Sequence, residues 1–482
     1  MFFLLPMLVL AALGMSDHAP ALWPRGPTLT ALTRLWLAAL LVGTILPWWM
    51  HARSIRRLER TGRARWITRS RRLAQFQVLA ATSWFVAGLL AIDWLGSVRE
   101  TVGDTIGLDE VLALAPWLLS LGMIGWQTYP LDRLLREASL VRALDEGEAI
   151  EPMPARLAWA WRRTRESALF MIIPGCIVLG WWEASERMLL SAHSAMPGAG
   201  WLIRRPDGML EPGVLGMGVQ FTGVFLVASL APALMARILP TKPLKGGTLA
   251  AFVRHASQRH RVRPPTLRLW DPTQGFANAA VLGFIPRTRT MLVTRRLLGT
   301  LSDQECEAVA MHEIGHVRHR HIPWMIGAII AVLMWGSLAE AGVAALGAGG
   351  PWVGFFRLWL GAALPALTLV GVFAALGYIS RRFEWQADAF AAADLSRQQG
   401  ETSFATEACA ALAHALLNVT RTNGSHPSRS DYLHGSVHTR CRRLAALEGT
   451  PLGDAPIDRA CSRLKGLIAV ALASGVACFV LM

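Results

Sequence analysis

Charge is scarce in this sequence. Of 482 residues, 17% are charged and 53% hydrophobic, whereas ordinary soluble domains carry about a quarter charged residues. That shortage excludes a disordered chain and makes a single soluble domain a poor description. Lysine is nearly absent: Lys242, Lys245 and Lys465 are the only three. The six cysteines, Cys176, Cys306, Cys409, Cys441, Cys461 and Cys478, are scattered without a C-x-x-C pair. This excludes a zinc ribbon and a disulfide framework. Cys176 and Cys478 fall in apolar runs and read as small core residues. No internal repeat or low-complexity tract stands out.

What is present is apolar sequence punctuated by arginine. Mean hydropathy is +0.36, and Lys+Arg exceeds Asp+Glu by 48 to 33. So basic a composition is one mark of a nucleic-acid partner. The arginines instead cluster in short segments between apolar runs, the pattern of a membrane protein. No nucleic acid is expected; the expected partner is the lipid bilayer.

Apolar runs cover 31–50, 76–96, 111–128, 168–185, 214–239, 322–346, 353–380 and 464–482. About 20 residues suffice for a helix to cross the hydrocarbon core, so each run predicts a span. Residues 1–15 form a further apolar stretch, readable as a short span or an uncleaved anchor. Tryptophans at span ends, such as Trp48, Trp49, Trp181 and Trp182, fit interfacial belts.

The intervening segments alternate in charge. Segment 51–74 carries nine arginines, while 97–110 carries Arg99 against Glu100, Asp104, Asp109 and Glu110. Segments 129–167 and 240–321 are again basic. The positive-inside rule and span parity place 51–74, 129–167, 240–321 and 381–463 in the cytoplasm. The expected organisation is a multi-span region 1–239, the first half of a cytoplasmic domain at 240–321, a transmembrane hairpin 322–380, the second half at 381–463, and a last span 464–482. The fold class is mainly α, a polytopic helical membrane protein with a mostly helical cytoplasmic domain carrying a small β-element.

The chemistry sits in that split domain. Residues 312–316 read His312-Glu313-Ile314-Gly315-His316, an H-E-x-x-H pattern. On a helix, positions four apart share a face, so both imidazoles reach one ion, and Glu313 beside them can take a proton from an attacking water. Ser302 and Glu305 form a capping box that predicts a helix starting near 303. His319 and His321, which follow, read as interfacial or surface residues rather than ligands.

A catalytic zinc site needs a third protein ligand. Glu384 offers one. Asp388, one turn on, shares its face and can fix the tautomer of a ligand imidazole. The bland alternative is an acidic pair on a solvated face. Two crossings lie between His316 and Glu384, which returns the acid to the histidines' side. His255 and His260 lie in a basic stretch with no nearby acid, and His414 lacks a second histidine at ligand spacing. Residues 290–294 alternate and are β-branched, which predicts an edge strand able to pair with an extended peptide.

Over about 265–444 the sequence resembles the integral-membrane gluzincin metallopeptidases, the HtpX-like proteases and CAAX prenyl-protein endopeptidases. The resemblance rests on Asn278-Ala279, Met291 to Thr294, Glu305 to Val309, HEIGH with His321, Phe383-Glu384 with Ala387-Asp388, and His434-Gly435-Ser436 with Arg440 and Leu444. It implies that Asn278 hydrogen-bonds substrate backbone and that His434 and Arg440 stabilise the oxyanion. His426 and His438 compete with His434, and Arg440 could be one more basic surface residue beside Arg442 and Arg443. His434 and Arg440 can converge only if their helix begins after His434, with Gly435 and Ser436 as its entry.

The expected function is a membrane-embedded zinc endopeptidase holding one Zn2+ per chain through His312, His316 and Glu384, with Glu313 as general base. Its substrates would be membrane proteins or lipid-modified peptides. Its location would be a multi-pass integral membrane protein with a cytoplasm-facing site, in the inner or plasma membrane if the cell is bacterial. A membrane scaffold or sensor that keeps the fold without the chemistry is the rival, and the intact Glu313 speaks against it. A transporter would need buried ionisable residues in its spans, for which Glu340 and Asp93 are the candidates.

Overall fold

A computed structural model describes residues 4–16, 27–145, 153–196, 200–204, 210–273, 275–345 and 351–481. It divides into two units, Met1–Pro240 and Thr241–Met482.

The first unit is helical apart from a short antiparallel hairpin, β1 (Leu202–Arg204) with β2 (Leu210–Pro212). Its core gathers Trp36, Phe85, Leu89, Leu114 and Trp117. Trp36 Nε1 donates to the Trp84 carbonyl at 3.0 Å, and Trp84 Nε1 donates back to the Trp36 carbonyl at 3.1 Å. Gly88 makes room for this exchange, since a Cβ there would lie 2.2 Å from the Trp36 ring. Large side chains such as Phe76, Trp84, Phe221 and Phe225 point outward, the arrangement of a surface solvated by lipid rather than water.

Among the described residues eight helices are long and apolar enough to cross a membrane: Leu29–Thr61, Arg65–Ala91, Leu108–Glu137, Arg156–Ala195, Leu215–Ile238, His321–Val343, Trp359–Gln398 and Pro456–Phe479. Each predicted run overlaps one of them. The protein is thus polytopic in its helical content. The first helix, Leu4–Ser16, has 13 residues. At 1.5 Å per residue it is about 20 Å long, short of the roughly 30 Å core. The arginine-rich segment 51–74 is not a loop. It forms the end of Trp48–Thr61 and the start of Arg65–Ala91 around a left-handed Gly62, because arginine is a good helix former and its charge does not interrupt the backbone.

The second unit carries a four-stranded sheet. Its strands are β3 (Thr241–Pro243), β4 (Thr266–Trp270), β5 (Ala279–Leu282) and β6 (Thr290–Thr294), ordered β3-β4-β6-β5. β4 and β6 run parallel; the other pairs are antiparallel. This corrects the reading of 290–294 as an edge. All five β6 residues are buried between two neighbours, and the edges are β3 and β5. A β-branched alternation reports a strand but not whether both its sides are paired.

Met291 and Val293 pack with Ala308, Met311 and Ile314 of helix Asp303–Arg318 and with Ala391 and Ala392 of the long helix Pro351–Gln398. That helix rises out of the apolar hairpin and continues unbroken past Glu384 and Asp388. The helix carrying HEIGH instead stops at Arg318. Arg320 takes a left-handed φ of 55°, and a new helix starts at His321.

Candidate metal centre

The HEIGH helix begins as its capping box dictates. Ser302 Oγ accepts from the Glu305 amide, and Glu305 Oε2 accepts from the Ser302 amide at 2.9 Å. Gly315 sets its distance from the long helix. A Cβ there would come within 3.0 Å of Phe390 and 3.2 Å of the Ala387 Cα. Glycine therefore lets the two backbones approach until the imidazoles meet Glu384.

They meet closely. His312 Nε2 and His316 Nε2 are 3.2 Å apart. Glu384 spans both, with Oε1 3.5 Å from His316 Nε2 and Oε2 3.6 Å from His312 Nε2. Ligands about 2.0–2.1 Å from a tetrahedral zinc sit about 3.3–3.4 Å from one another. The two imidazoles are about that far apart, each has a Glu384 oxygen at a similar distance, and one ligand atom from each of the three residues lies within 4.8 Å of the others. Glu384 Oε2 and His312 Nδ1 are buried without an aligned hydrogen bond, although His312 Nδ1 lies 2.9 Å from Asp388 Oδ1. Two imidazoles and one carboxylate, their ligand atoms all facing one another, fit a metal ion, and His312, His316 and Glu384 form a site for one.

Charge supports this. Burial disfavours a proton on His312, but Asp388 and Glu384 outweigh it and raise the pKa to about 10. The pocket favours a cation. His316 has no carboxylate behind it, and burial lowers it to about 3. Burial also raises the carboxyl of Glu313, which accepts from the Val281 amide on β5 at 3.1 Å. A carboxylate lifted in this way is better matched to proton transfer near neutral pH.

Arg440 is buried and anchored. Its Nε and NH2 donate to Asp388 Oδ2 and Oδ1 at 2.8 and 2.6 Å, and NH1 lies 3.0 Å from Glu384 Oε2. Its helix, Val437–Ala445, starts after N-cap Ser436, with Gly435 left-handed at φ 73°. His434 therefore lies outside the helix. It is largely exposed, and its Nδ1 is 2.9 Å from Asp431 Oδ1. The Glu384 carboxylate is the chief cause that raises its pKa, followed by the Asp431 hydrogen bond against burial. Among the described residues, neither His426 nor His438 bonds to the cluster. Asn278 is exposed at the start of β5; its amide and carbonyl pair with Thr294 at 2.8 and 2.9 Å.

Two expectations change. His321 is not a surface residue. It is 1% exposed, its Nδ1 is 2.8 Å from His316 Nδ1, and its ring stacks on Phe383 at 4.2 Å. His260 does have an acid: its Nε2 is 2.6 Å from Asp394 Oδ1, where Arg259 also binds at 2.7 Å. Asp394 lies 134 residues further along the chain, so only folding reveals the pair.

The arrangement is that of a gluzincin zinc-protease site, H-E-x-x-H with a distal glutamate. The comparisons agree. Peptidase family M48 matches residues 250–435. A protease HtpX homolog from Thermoplasma volcanium is 31% identical over 118 residues, covering 22% of this chain and 37% of the relative. Another, from Campylobacter hominis, is 32% identical over 149 residues, covering 31% and 51%. The chain thus spans from about a third to a half of the length of these curated relatives. The crystal structure of S. mikatae Ste24p matches over 88% of this chain and 100% of that one, at 15% identity and a TM-score of 0.38, too loose a likeness to add to the assignment. Through residues 250–435, which hold the histidine pair, Glu313 and the returning glutamate, the chain is similar to peptidase family M48 and its HtpX-like members.

Proposed function

We propose that the protein is a membrane-embedded zinc endopeptidase that cleaves membrane-associated proteins or lipid-modified peptides at the cytoplasmic membrane surface. The observation that carries this reading is the convergence of His312, His316 and Glu384 ligand atoms, with Glu313 next to His312 in the chain. Zinc supplies acidity to a water and polarises the scissile carbonyl.

The chain's own residues do the rest. The Val281 amide holds Glu313 Oε2, leaving Oε1 to take the proton as water oxygen bonds to the carbonyl carbon. Glu313 then returns that proton to the departing amine as the C–N bond breaks. β5 presents the open edge of the sheet. Asn278 and its alternates face β6, so the Ala279 backbone and the Val281 carbonyl face outward, beside the Val281 amide that Glu313 occupies, and an extended peptide can add there as a further strand. Asn278 stands exposed at the start of that edge to hold substrate backbone. His434, oriented by Asp431, is the candidate donor to the oxyanion. Arg440, tied to Asp388 and Glu384, serves as a positioning residue for the ligand carboxylate. Asp388 orients His312. The arginine distribution and span parity support a cytoplasm-facing site, and labels in 51–74, 240–321 and 381–463 should all report that side.

The test is zinc content of the purified protein with cleavage of an unfolded substrate such as casein, using Glu313→Gln as control. One zinc per chain, and cleavage that disappears in the variant, is the expected result. Cleavage at the wild-type rate by Glu313→Gln would assign the activity elsewhere.

A further inference from the structure

His312 and His316 are not held alike. Behind His312 stands the Asp388 carboxylate. Behind His316 stand two uncharged side chains that end on a carboxylate of the last helix. His316 Nδ1 is 2.8 Å from His321 Nδ1, His321 Nε2 is 3.0 Å from Gln386 Oε1, and Gln386 Nε2 donates to Asp458 Oδ1 at 2.7 Å. Asp458 lies in the first turn of Pro456–Leu481, the last candidate span.

The proton positions along this chain follow from its first member. His316 Nε2 faces the other two ligand atoms, so it must be bare, and Nδ1 carries the hydrogen. His321 Nδ1 must then accept, which puts the His321 proton on Nε2, facing the Gln386 carbonyl oxygen. The Gln386 amide nitrogen is left for the Asp458 carboxylate. Lys465 Nζ lies 3.5 Å from Gln386 Oε1 and 3.0 Å from the His319 carbonyl, which favours the same amide orientation. Every hydrogen bond has one donor and one acceptor, with a single direction from the metal site to the membrane helix.

The backbone is bent to make the first link. In an unbroken helix, residues five apart point about 140° away from each other. His321 reaches His316 because the helix breaks at the left-handed Arg320, a conformation costly for a residue with a side chain.

We propose that His321, with Gln386 and Asp458 behind it, is the positioning relay for metal ligand His316, and that it makes metal affinity depend on the seating of the C-terminal helix. This rests on the metallopeptidase reading. A ligand imidazole whose distal nitrogen has a fixed acceptor keeps the right tautomer and ring orientation, and loss of such a partner typically weakens metal binding about 10–100-fold.

The experiment measures zinc affinity by chelator competition on the full-length chain in detergent. All variants are made in a Glu313→Gln background, so no activity is needed. His321→Phe keeps the ring stacked on Phe383 but has no acceptor. His321→Asn loses the stacking but places an amide oxygen near the Nδ1 position. The relay predicts zinc binding about 10–100-fold weaker for Phe and close to the parent for Asn. A packing role predicts the reverse order, and that order, or equal affinities, would overturn the proposal. Gln386→Leu should weaken zinc by a smaller factor; unchanged affinity there would cut the link to the C-terminal helix. His312→Ala serves as reference. If it keeps zinc, the metal-site reading itself fails, whatever His321 does.

Discussion

Each unit of this protein buries a polar cluster built around histidine, and the two are made differently. In the first unit, His51 lies 2.8 Å from Ser70 Oγ and 2.7 Å from Gln77 Oε1. Gln77 donates to the Thr44 carbonyl and to Gln127 Oε1, and Gln127 donates to the same Thr44 carbonyl. No member of that set is a carboxylate or a guanidinium, and the side-chain nitrogens named all have partners. Such a network fastens helices together. In the second unit, His312, His316, Glu384, Asp388 and Arg440 mix both signs of charge, and a Glu384 oxygen lacks an aligned partner. A satisfied neutral network has no use for a ligand, whereas two imidazoles and a carboxylate converging on one point suit a cation.

The largest expected effect tests that contrast directly. His312→Ala or His316→Ala should remove the metal and with it all cleavage, read by metal analysis and casein hydrolysis. Full occupancy in both would place the ion elsewhere and erase the distinction. Next comes Glu313→Gln, which should keep the metal and lose about 10²–10⁴ in kcat, the usual worth of a general base. Its effect separates the cation-holding part of the charged cluster from its proton-moving part.

Arg440→Ala follows. It strands Asp388 and Glu384 as buried carboxylates, and breaking a buried pair typically costs about 3–5 kcal/mol. Thermal unfolding of the metal-free protein should show it, together with weaker zinc binding. Arg443→Ala is the control. Arg443 lies over the Trp385 ring at 3.6 Å, a contact of about 0.5–1 kcal/mol where exposed. Equal losses from both would mean that Arg440 contributes packing rather than charge.

The sequence disclosed what is local or paired by span parity. HEIGH announces itself because its histidines are one turn apart, and Ser302 with Glu305 marks the helix start within three residues. Glu384 could be placed because an even number of crossings returns the chain to the same side. The rest needed folding. The neighbours of Thr290–Thr294 could not be read from its own alternation, so its central place in the sheet went unseen. Gly315 sets the spacing to Ala387, a role that only the packed helices disclose. His321 looked superficial because nothing in the run of Arg318 to Arg320 announces a left-handed turn at an arginine. The role of Arg440 as partner of Asp388 depends on a contact across 52 residues.

The smallest effect belongs to the neutral cluster, and it can still break the comparison. His51→Leu leaves Gln77 and Ser70 facing an apolar side chain, and Gln77→Leu strands His51 and frees the Thr44 carbonyl of one donor. An unmade buried hydrogen bond costs about 1–3 kcal/mol, and contacts within membrane bundles average nearer 0.6 kcal/mol. Each single change should therefore lower stability modestly and leave zinc affinity untouched, because every metal-site residue belongs to Thr241–Met482. The double variant decides the matter. If the cluster only fastens helices, removing both partners removes the unmet demand as well, and the double change should cost less than the sum of the singles. Unfolding of the full chain in detergent gives the three values of the cycle. Strict additivity would mean that His51 and Gln77 do not satisfy each other. A fall in zinc binding or kcat from either single variant would show that the neutral network takes part in catalysis, and the division between a fastening cluster and a working one would fall.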